Sequence, residues 1–279
     1  MNPSRYCLFI FLYFTSSLLY GQTLNFKHIS FKEGLVQSPI SNFLQDDVGF
    51  IWFGNFKGLT RYDGYEFKTF NTNPNNSSSI SNNRVNAIFQ DSDRQIWVCT
   101  ANGLDLYDRK LEAFTRIDIR EIKGGRNYIS SIVEDHQKNI WVGTFGGLKR
   151  LNKQTLKLED ISSDSKNLMF RYSPVFSLFL DHQNNLWAGT KEGLMKFDPV
   201  KQKIVPLPKV FLERPDFSEN KILVIKQDSD NSLWFGTEIS GVFQFSMNKQ
   251  ALKNYAFKEA GNSIASNWVK DILFRERNE

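Results

Sequence analysis

Residues 181–198 read DHQNNLWAGTKEGLMKFD, and four other parts of the chain carry the same phrase with small changes. Each copy contains one tryptophan, and the intervals between successive tryptophans are 45, 44, 46 and 47 residues. These residues are Trp52, Trp97, Trp141, Trp187 and Trp234. A period of this length is typical of proteins that stack one supersecondary unit many times.

Three further positions recur at nearly constant distances from the tryptophans, and they divide each repeat into four short segments. Six residues before each tryptophan stands an aspartate: Asp46, Asp91, Asp135, Asp181 and Asp228. Six or seven residues after it stands a glycine: Gly58, Gly103, Gly147, Gly193 and Gly241. A turn-forming residue follows five positions later. The first segment is rich in apolar residues, the third alternates as a half-exposed strand does, and the fourth is more polar.

Four antiparallel strands that become more polar outward, repeated radially, describe a β-propeller blade. The sequence therefore predicts an all-β fold: a β-propeller with five complete four-stranded blades and partial strands at both ends, forming an incomplete seven-bladed ring. The propeller domain is predicted over residues 22–279. It comprises an orphan outer strand at 24–30, repeats at 36–72, 81–117, 125–161, 171–207 and 218–258, and a partial sixth repeat at 264–279.

Each recurring residue has a structural interpretation. We expect the tryptophans to pack between adjacent blades and the aspartates to stabilise turns. The glycine two residues after most of the tryptophans, as at Gly143, is expected to let the neighbouring blade approach closely. Cys99 replaces that glycine once and is interpreted as a small buried hydrophobe. One carboxylate per turn is too few for calcium, so no metal and no cofactor is predicted.

The N-terminus and the charge pattern indicate the compartment. Arg5 precedes an apolar stretch that is too short for a transmembrane helix, which predicts a signal peptide over residues 1–21. Its removal leaves Cys99 as the only cysteine, so no internal disulfide is expected. The net charge of +5 is scattered along the chain, which argues against nucleic acid and against a polybasic membrane patch. We expect a periplasmic or extracellular protein, attached to a membrane only through segments missing from this chain.

The phrase at residues 181–198 resembles the repeat of the two-component regulator propeller family, and the resemblance extends over residues 24–279. In that family such repeats form the periplasmic sensor of hybrid histidine kinases, and many of these systems resemble oligosaccharide sensors. The resemblance implies a sensing module without enzymatic activity of its own, whose kinase or other output domain lies outside this chain. It also implies a homodimer formed through the full-length receptor.

Propellers bind ligands at the face where the loops between second and third strands meet the starts of the first strands. A sugar site needs planar apolar surfaces and charged or amide donors. The variable residues of these loops that supply both kinds of group are Arg84, Tyr128, Phe145, Lys191, Lys221 and Trp268.

Two other classes of function remain open. A secreted glycoside hydrolase or polysaccharide lyase would need paired carboxylates or a histidine in the channel, and Glu192 and Glu238 lie in suitable loops. His28, His136 and His182 fall outside that face. An interaction scaffold of the WD40 type is the third possibility, although the Gly-His and Trp-Asp signature of those repeats is missing.

Overall fold

The structure of the protein, a computed structural model, describes residues 34, 35, 39–117, 119, 127–161, 172–259 and 261–274. The predicted signal peptide, the predicted outer strand at 24–30 with His28, and the last five residues of the predicted sixth repeat lie outside this part. Twenty strands and two short helices form within it. Neither helix is long and apolar enough to cross a membrane.

The strands form five four-stranded antiparallel sheets, each of which follows the chain in order. The first blade contains β1 (Asn42–Gln45), β2 (Ile51–Asn55), β3 (Gly58–Tyr62) and β4 (Phe67–Phe70). The second contains β5 (Val85–Gln90), β6 (Ile96–Thr100), β7 (Gly103–Asp108) and β8 (Ala113–Arg116). The third contains β9 (Ile129–Glu134), β10 (Ile140–Thr144), β11 (Gly147–Asn152) and β12 (Lys157–Asp160).

The fourth blade contains β13 (Val175–Leu180), β14 (Leu186–Thr190), β15 (Gly193–Asp198) and β16 (Lys203–Val205). Helices α1 (Lys209–Leu212) and α2 (Pro215–Ser218) follow it. The fifth blade contains β17 (Ile222–Gln227), β18 (Ser232–Thr237), β19 (Val242–Ser246) and β20 (Ala251–Tyr255). The first strands of successive blades contact one another, from β1 and β5 through to β13 and β17, so the blades are arranged radially. The prediction of an all-β propeller with five complete blades is confirmed, and the seven-bladed ring stays a prediction.

A hydrogen bond between the recurring tryptophan and aspartate is present in every blade, and it is buried in the first four. The indole Nε1–H of each tryptophan donates to Oδ2 of the aspartate six residues earlier, over 2.7 to 3.0 Å. The other oxygen, Oδ1, accepts the backbone N–H groups two and four residues after the aspartate. One carboxylate thus closes the turn between the first two strands and orients the indole. The turn role was predicted from the sequence, and the bond to the indole was not.

The tryptophans pack between blades, as expected. The ring of Trp52 lies 4.9 Å from that of Tyr107 in the second blade, and Trp141 lies 5.2 Å from Phe197 in the fourth. Both tryptophans are at most 1% exposed. Because blades on both sides cover the sheets of the second to fourth blades, the third strands there are more buried than the predicted alternation suggests.

We expect Asp135→Ala to lower the free energy of unfolding by about 3–5 kcal/mol. The substitution leaves a buried indole N–H and two turn N–H groups without an acceptor, at about 1–3 kcal/mol for each buried group. Urea denaturation followed by tryptophan fluorescence measures the change. The matched control is Asp198→Ala, which removes a carboxylate that accepts the N–H groups of Val200 and Lys201 but no indole. Equal losses in the two variants would contradict a structural role for the indole bond.

The glycine two residues after the tryptophan lies where one blade touches the next. A Cβ added at Gly143 would lie 2.8 Å from Cγ1 of Val175, and one at Gly189 would lie 2.3 Å from the carbonyl oxygen of Ile222. Both contacts are to the first apolar residue of the following blade. The predicted close approach is therefore correct, and it explains why the first strands of the second to fifth blades begin with fully buried residues.

Cys99 shows how the second blade tolerates a side chain at this position. The cross-strand partner of Cys99 is Ala87, whereas the partners of Gly143 and Gly189 are Ser131 and Ser177. The serine hydroxyl oxygen would lie 2.4 Å from a Cβ on its partner glycine. A small residue is therefore needed on one side of each pair, and the second blade places the larger residue on the opposite strand.

We expect Gly143→Cys to lower the free energy of unfolding by about 1–3 kcal/mol through overpacking. Adding Ser131→Ala should recover more than half of that loss, because the double variant reproduces the pairing of Cys99 with Ala87 in the third blade. Urea denaturation of both single variants and of the double variant provides the comparison. A double variant no more stable than Gly143→Cys would show that the cross-strand partner does not decide the residue at this position.

The two ends of the described array differ from the interior. Phe43 is 76% exposed, although its position predicts burial, because no preceding blade covers β1 within the described residues. At the other end, residues 264–274 do not form a ladder strand. Val269 nevertheless donates its N–H to the carbonyl of Thr237 and would contact a Cβ on Gly236 at 2.9 Å. Val269 therefore occupies the place that the first apolar residue of a blade takes elsewhere.

Asp105 is a fully buried carboxyl group on β7. Its Oδ2 accepts the backbone N–H and the hydroxyl of Ser81 at 2.9 and 2.7 Å, while Oδ1 has no partner among the described residues. Burial raises the pKa of Asp105 to about 6. Burial and the nearby Asp105 together raise the pKa of the Cys99 thiol, so Cys99 is inert, as its interpretation as a buried hydrophobe implies.

The contribution of Asp105 to the stability of the protein should therefore fall as the pH rises from about 4 to about 7. An aspartate in an unfolded chain has a pKa of about 3.9, so the native state holds the Asp105 proton more tightly. This stabilisation is fully present below the unfolded pKa and is lost as the pH passes through the folded pKa, by about 3 kcal/mol. We expect Asp105→Asn to exceed the wild type in stability at pH 7.5 and to match it at pH 4 in urea denaturation. A difference that does not change with pH would contradict this origin.

Candidate functional site

The two sets of loops that were expected to share one face do so. In the second to fifth blades, the backbone N–H of the residue that follows the second strand donates to the carbonyl of the residue that precedes the first strand. These bonds join Ala101 to Arg84, Phe145 to Tyr128, Lys191 to Pro174, and Glu238 to Lys221. Each of these four blades thus presents two variable side chains next to each other at the same edge.

The hairpins that carry these residues are closed by their own side chains. Thr144 donates its hydroxyl to the carbonyl of Gly147 and accepts the N–H of Gly146. Gly147 has a φ of +104°, a conformation that favours glycine. Thr100 and Thr190 make the same pair of bonds in their blades. Because the frame is held by Thr and Gly, the residues between them are free to vary without loss of the hairpin.

Side chains of this face form a continuous row across the first three blades. The guanidinium of Arg84 lies 5.0 Å from the ring centroid of Phe56 and 5.3 Å from that of Tyr128. Tyr128 stacks on Phe145 with ring centroids 4.2 Å apart and an interplanar angle of 28°. Three of the predicted site residues are therefore brought together, and Phe56 joins them.

The row continues into the fourth and fifth blades. Phe176 meets the ring of Phe145 edge-on at 5.7 Å, and the ammonium of Lys221 lies 5.8 Å from the Phe176 centroid. Lys221 also forms an ion pair of 2.7 Å with Glu238. We call the side chains from Phe56 to Glu238 the aromatic row; its members are Phe56, Arg84, Tyr128, Phe145, Phe176, Lys221 and Glu238.

Phe176 was missed by the sequence reasoning because a β-bulge brings it to this face. The register of β13 against β14 shifts between Val175 and Ser177, and Phe176 is the extra residue. Bulges re-aim a side chain, and equivalent shifts occur in the second, third and fifth blades. The bulge residues of those blades are Asn86, Ser130 and Leu223. Phe176 is the one aromatic residue among the four, and this difference between repeats is the sequence feature that could have identified it.

Two predicted site residues lie outside the aromatic row. Lys191 is exposed on the hairpin of the fourth blade, and its ammonium forms no hydrogen bond or ion pair with the described residues. Trp268 is 57% exposed, and its ring contacts the ammonium of Lys270 at 4.3 Å. The structure therefore brings four of the six predicted residues into one row and leaves Lys191 and Trp268 apart from it.

A separate cleft of about 380 Å³ lies between the fourth blade and the two helices that follow it. Leu194, Phe211 and Phe217 form apolar walls, while Glu192 and Lys196 add charged groups. Phe211 and Phe217 also fill the wedge between the fourth and fifth blades, with ring centroids 5.7 and 5.3 Å from Phe235. The packing of the helices between these blades accounts for the apolar walls of this cleft.

Three of the residues that were considered for catalysis, Glu238, His136 and His182, make other contacts. Glu238 pairs with Lys221, and His182 Nδ1 lies 2.9 Å from Oδ1 of Asn231 at the turns of the opposite face. The backbone N–H of His136 in the equivalent turn donates to Asn184 of the next blade. These turns therefore join neighbouring blades.

Three carboxylates meet on that opposite face, at Asp91, Asp93 and Glu134. The ammonium of Lys153 lies 3.0, 3.1 and 3.3 Å from them. The chain thus supplies its own cation to this cluster. Lys153 comes from the third blade and binds Asp91 of the second, as Arg109 of the second blade binds Asp46 of the first, so the cluster serves as a tie between blades.

Comparisons with protein families and with known proteins both match segments of this chain. The family model described as "Two component regulator propeller" matches residues 79–102, 123–146 and 216–238. The protein named Histidine kinase P4 from Formosa agariphila is 37% identical over 82 residues, which are 29% of this chain and 6% of that protein.

Solved structures with a similar fold include the extracellular domain of a two component system protein and a lyase. The extracellular domain of a protein assigned as a hybrid two component system from B. thetaiotaomicron superposes with a TM-score of 0.62 at 18% identity. The match covers 88% of this chain and 39% of that one. Virginiamycin B lyase from Staphylococcus aureus superposes with a TM-score of 0.56 at 14% identity, over 78% of this chain and 69% of that one. At these identities the likeness shows the fold, and this chain spans about two fifths of the extracellular domain that it matches.

Proposed function

We propose that this chain, three segments of which match the two-component regulator propeller model, is an extracytoplasmic ligand-sensing module of a two-component system. The ligand is an oligosaccharide that binds across the aromatic row. The signal passes to a kinase or another output domain encoded outside this chain, in a receptor that acts as a homodimer. The predicted signal peptide supports this location, as does the similarity in fold to an extracellular domain from B. thetaiotaomicron.

The observation that carries the proposal is the continuous stacked surface of Tyr128, Phe145 and Phe176. Three aromatic rings from two adjacent blades present a long apolar strip, flanked by Arg84 on one side and Lys221 on the other. All three rings are half-buried, which holds them in place and leaves part of each ring in contact with solvent. Such a strip suits a chain of sugar rings, whose faces are apolar and whose edges carry hydroxyl groups.

A secreted glycoside hydrolase or polysaccharide lyase is the second candidate, favoured by the similarity in fold to virginiamycin B lyase. Glycoside hydrolysis needs two carboxylates on either side of the scissile bond, one of which gives up a proton. Of the two carboxylates in the loops of this face, Glu238 is held by Lys221 at 2.7 Å. This pairing supports the binding function over the catalytic one.

We expect titration calorimetry of the mature chain to detect binding of at least one pool of oligosaccharides from digests of laminarin, xylan, pectin, alginate or carrageenan. Phe145→Ala should weaken that binding at least tenfold, since it removes the central ring of the strip and a tenfold change corresponds to about 1.4 kcal/mol. The matched control is Tyr65→Ala, which removes an aromatic ring that is 92% exposed in the β3–β4 hairpin.

Chromatography of the bound pool after incubation separates the two candidates. A sensing module returns the pool unchanged, whereas shorter products would favour the hydrolase or lyase. The absence of binding to every pool, or an equal loss of affinity in Phe145→Ala and Tyr65→Ala, would contradict an oligosaccharide site on the aromatic row.

A further inference from the structure

Arg84 differs from every other arginine in the described residues. Those residues contain seven arginines, and six of them use the guanidinium in a hydrogen bond or an ion pair: Arg61, Arg94, Arg109, Arg116, Arg150 and Arg214. The guanidinium of Arg84 has no such partner among the described residues, and the side chain is exposed. The N–H donors of a cation are therefore left available on the candidate binding face.

The guanidinium of Arg84 is nevertheless held in position. Two ring faces bracket it, Phe56 at 5.0 Å and Tyr128 at 5.3 Å. The backbone on either side of the side chain is also fixed, because the Arg84 N–H donates to Asn82 and the Arg84 carbonyl accepts from Ala101. A planar cation held on aromatic faces loses less conformational entropy when it binds an anion than a free arginine does.

The cation at the other end of the aromatic row is neutralised. Lys221 forms an ion pair of 2.7 Å with Glu238, so its positive charge is already matched within the chain. The row therefore has one unmatched charge, at Arg84, next to the stacked pair of Tyr128 and Phe145. A ligand that lies along these rings meets a positive charge at the Arg84 end.

We infer that the oligosaccharide bound by this face is acidic, and that Arg84 binds its anionic group while the adjacent sugar ring lies on Tyr128 and Phe145. The inference rests on the proposed function. The guanidinium presents parallel N–H donors that match the two oxygens of a carboxylate or of a sulfate ester, and paired bonds of this kind give both energy and orientation. A neutral oligosaccharide has no anionic group to accept from these N–H donors, which then stay hydrogen-bonded to water.

The test compares each acidic pool with a neutralised copy of itself. Oligosaccharides from pectin and alginate are compared with the same pools after reduction of their carboxyl groups to alcohols, and carrageenan oligosaccharides are compared with a desulfated pool. We expect neutralisation to weaken binding to the wild-type protein at least tenfold for one of these chemistries. The pair that shows the loss identifies the anionic group as a carboxylate or a sulfate ester.

Arg84→Gln should produce the same loss for the acidic pool and leave binding of the neutralised pool unchanged, whereas Arg84→Lys should recover only part of the affinity. Arg94→Gln is the matched control, because it removes the same charge from a side chain that is 78% exposed at the turn between β5 and β6, on the opposite face. Equal urea denaturation midpoints of the Arg84 variants and the wild type establish that folding is intact.

The possible outcomes distinguish failure of the acidic-ligand inference from failure of the proposed sensing function. If neutralised or neutral pools bind as tightly as acidic ones, with a loss in Phe145→Ala but none in Arg84→Gln, the acidic ligand is wrong and the oligosaccharide sensor stands. If no pool binds at all, the proposed function fails and the inference fails with it. A loss of affinity in Arg94→Gln equal to that in Arg84→Gln would reduce the effect to net charge and overturn the role of Arg84.

Discussion

The hydrogen bond from a buried indole to an aspartate six residues earlier is the interaction on which the rest of the propeller depends. One carboxylate oxygen accepts the indole N–H, and the other closes the turn between the first two strands. A charged acceptor that is nearly fully buried is tolerated because these donors satisfy it. With the indole fixed, the large ring has one orientation, and that orientation decides where the next blade packs.

Packing between blades follows from this fixed ring and from the small residue two positions later. The glycine leaves room for the first apolar residue of the next blade, while the indole covers the outer part of the same surface. In the second blade Cys99 and Ala87 replace this Gly and Ser, so the larger side chain of the pair lies on the second strand and the smaller one on the first. Dense packing of this kind makes each blade depend on its neighbours, as in other repeat proteins.

The turn bonds and the packing between blades stabilise the fold, so the residues at the opposite edge of each blade can serve recognition instead of stability. The hairpins there are held by Thr and Gly, and the variable residues between them need not contribute to the core. Tyr128 and Phe145 meet within the third blade, and Phe176 reaches Phe145 from the fourth because β13 packs beside β9 and β10. A row of side chains across blades is therefore a natural product of radial repetition.

The sequence by itself determined the blade, its four strands, the turn aspartate, the packing of the tryptophan and the edge that carries the variable loops. These features can be predicted because strand alternation, turn chemistry and the spacing of repeats depend on residues that are near one another in the sequence. Only the tertiary structure decided that Arg84, Tyr128, Phe145 and Lys221 lie in one row and that Lys191 and Trp268 do not. Phe176 was hidden for the same reason: a bulge in the ladder, and not the order of residues, sets the direction of its side chain. Distances between side chains of different blades depend on the rotation from blade to blade and on such bulges. Neither can be predicted from the repeat pattern of the sequence.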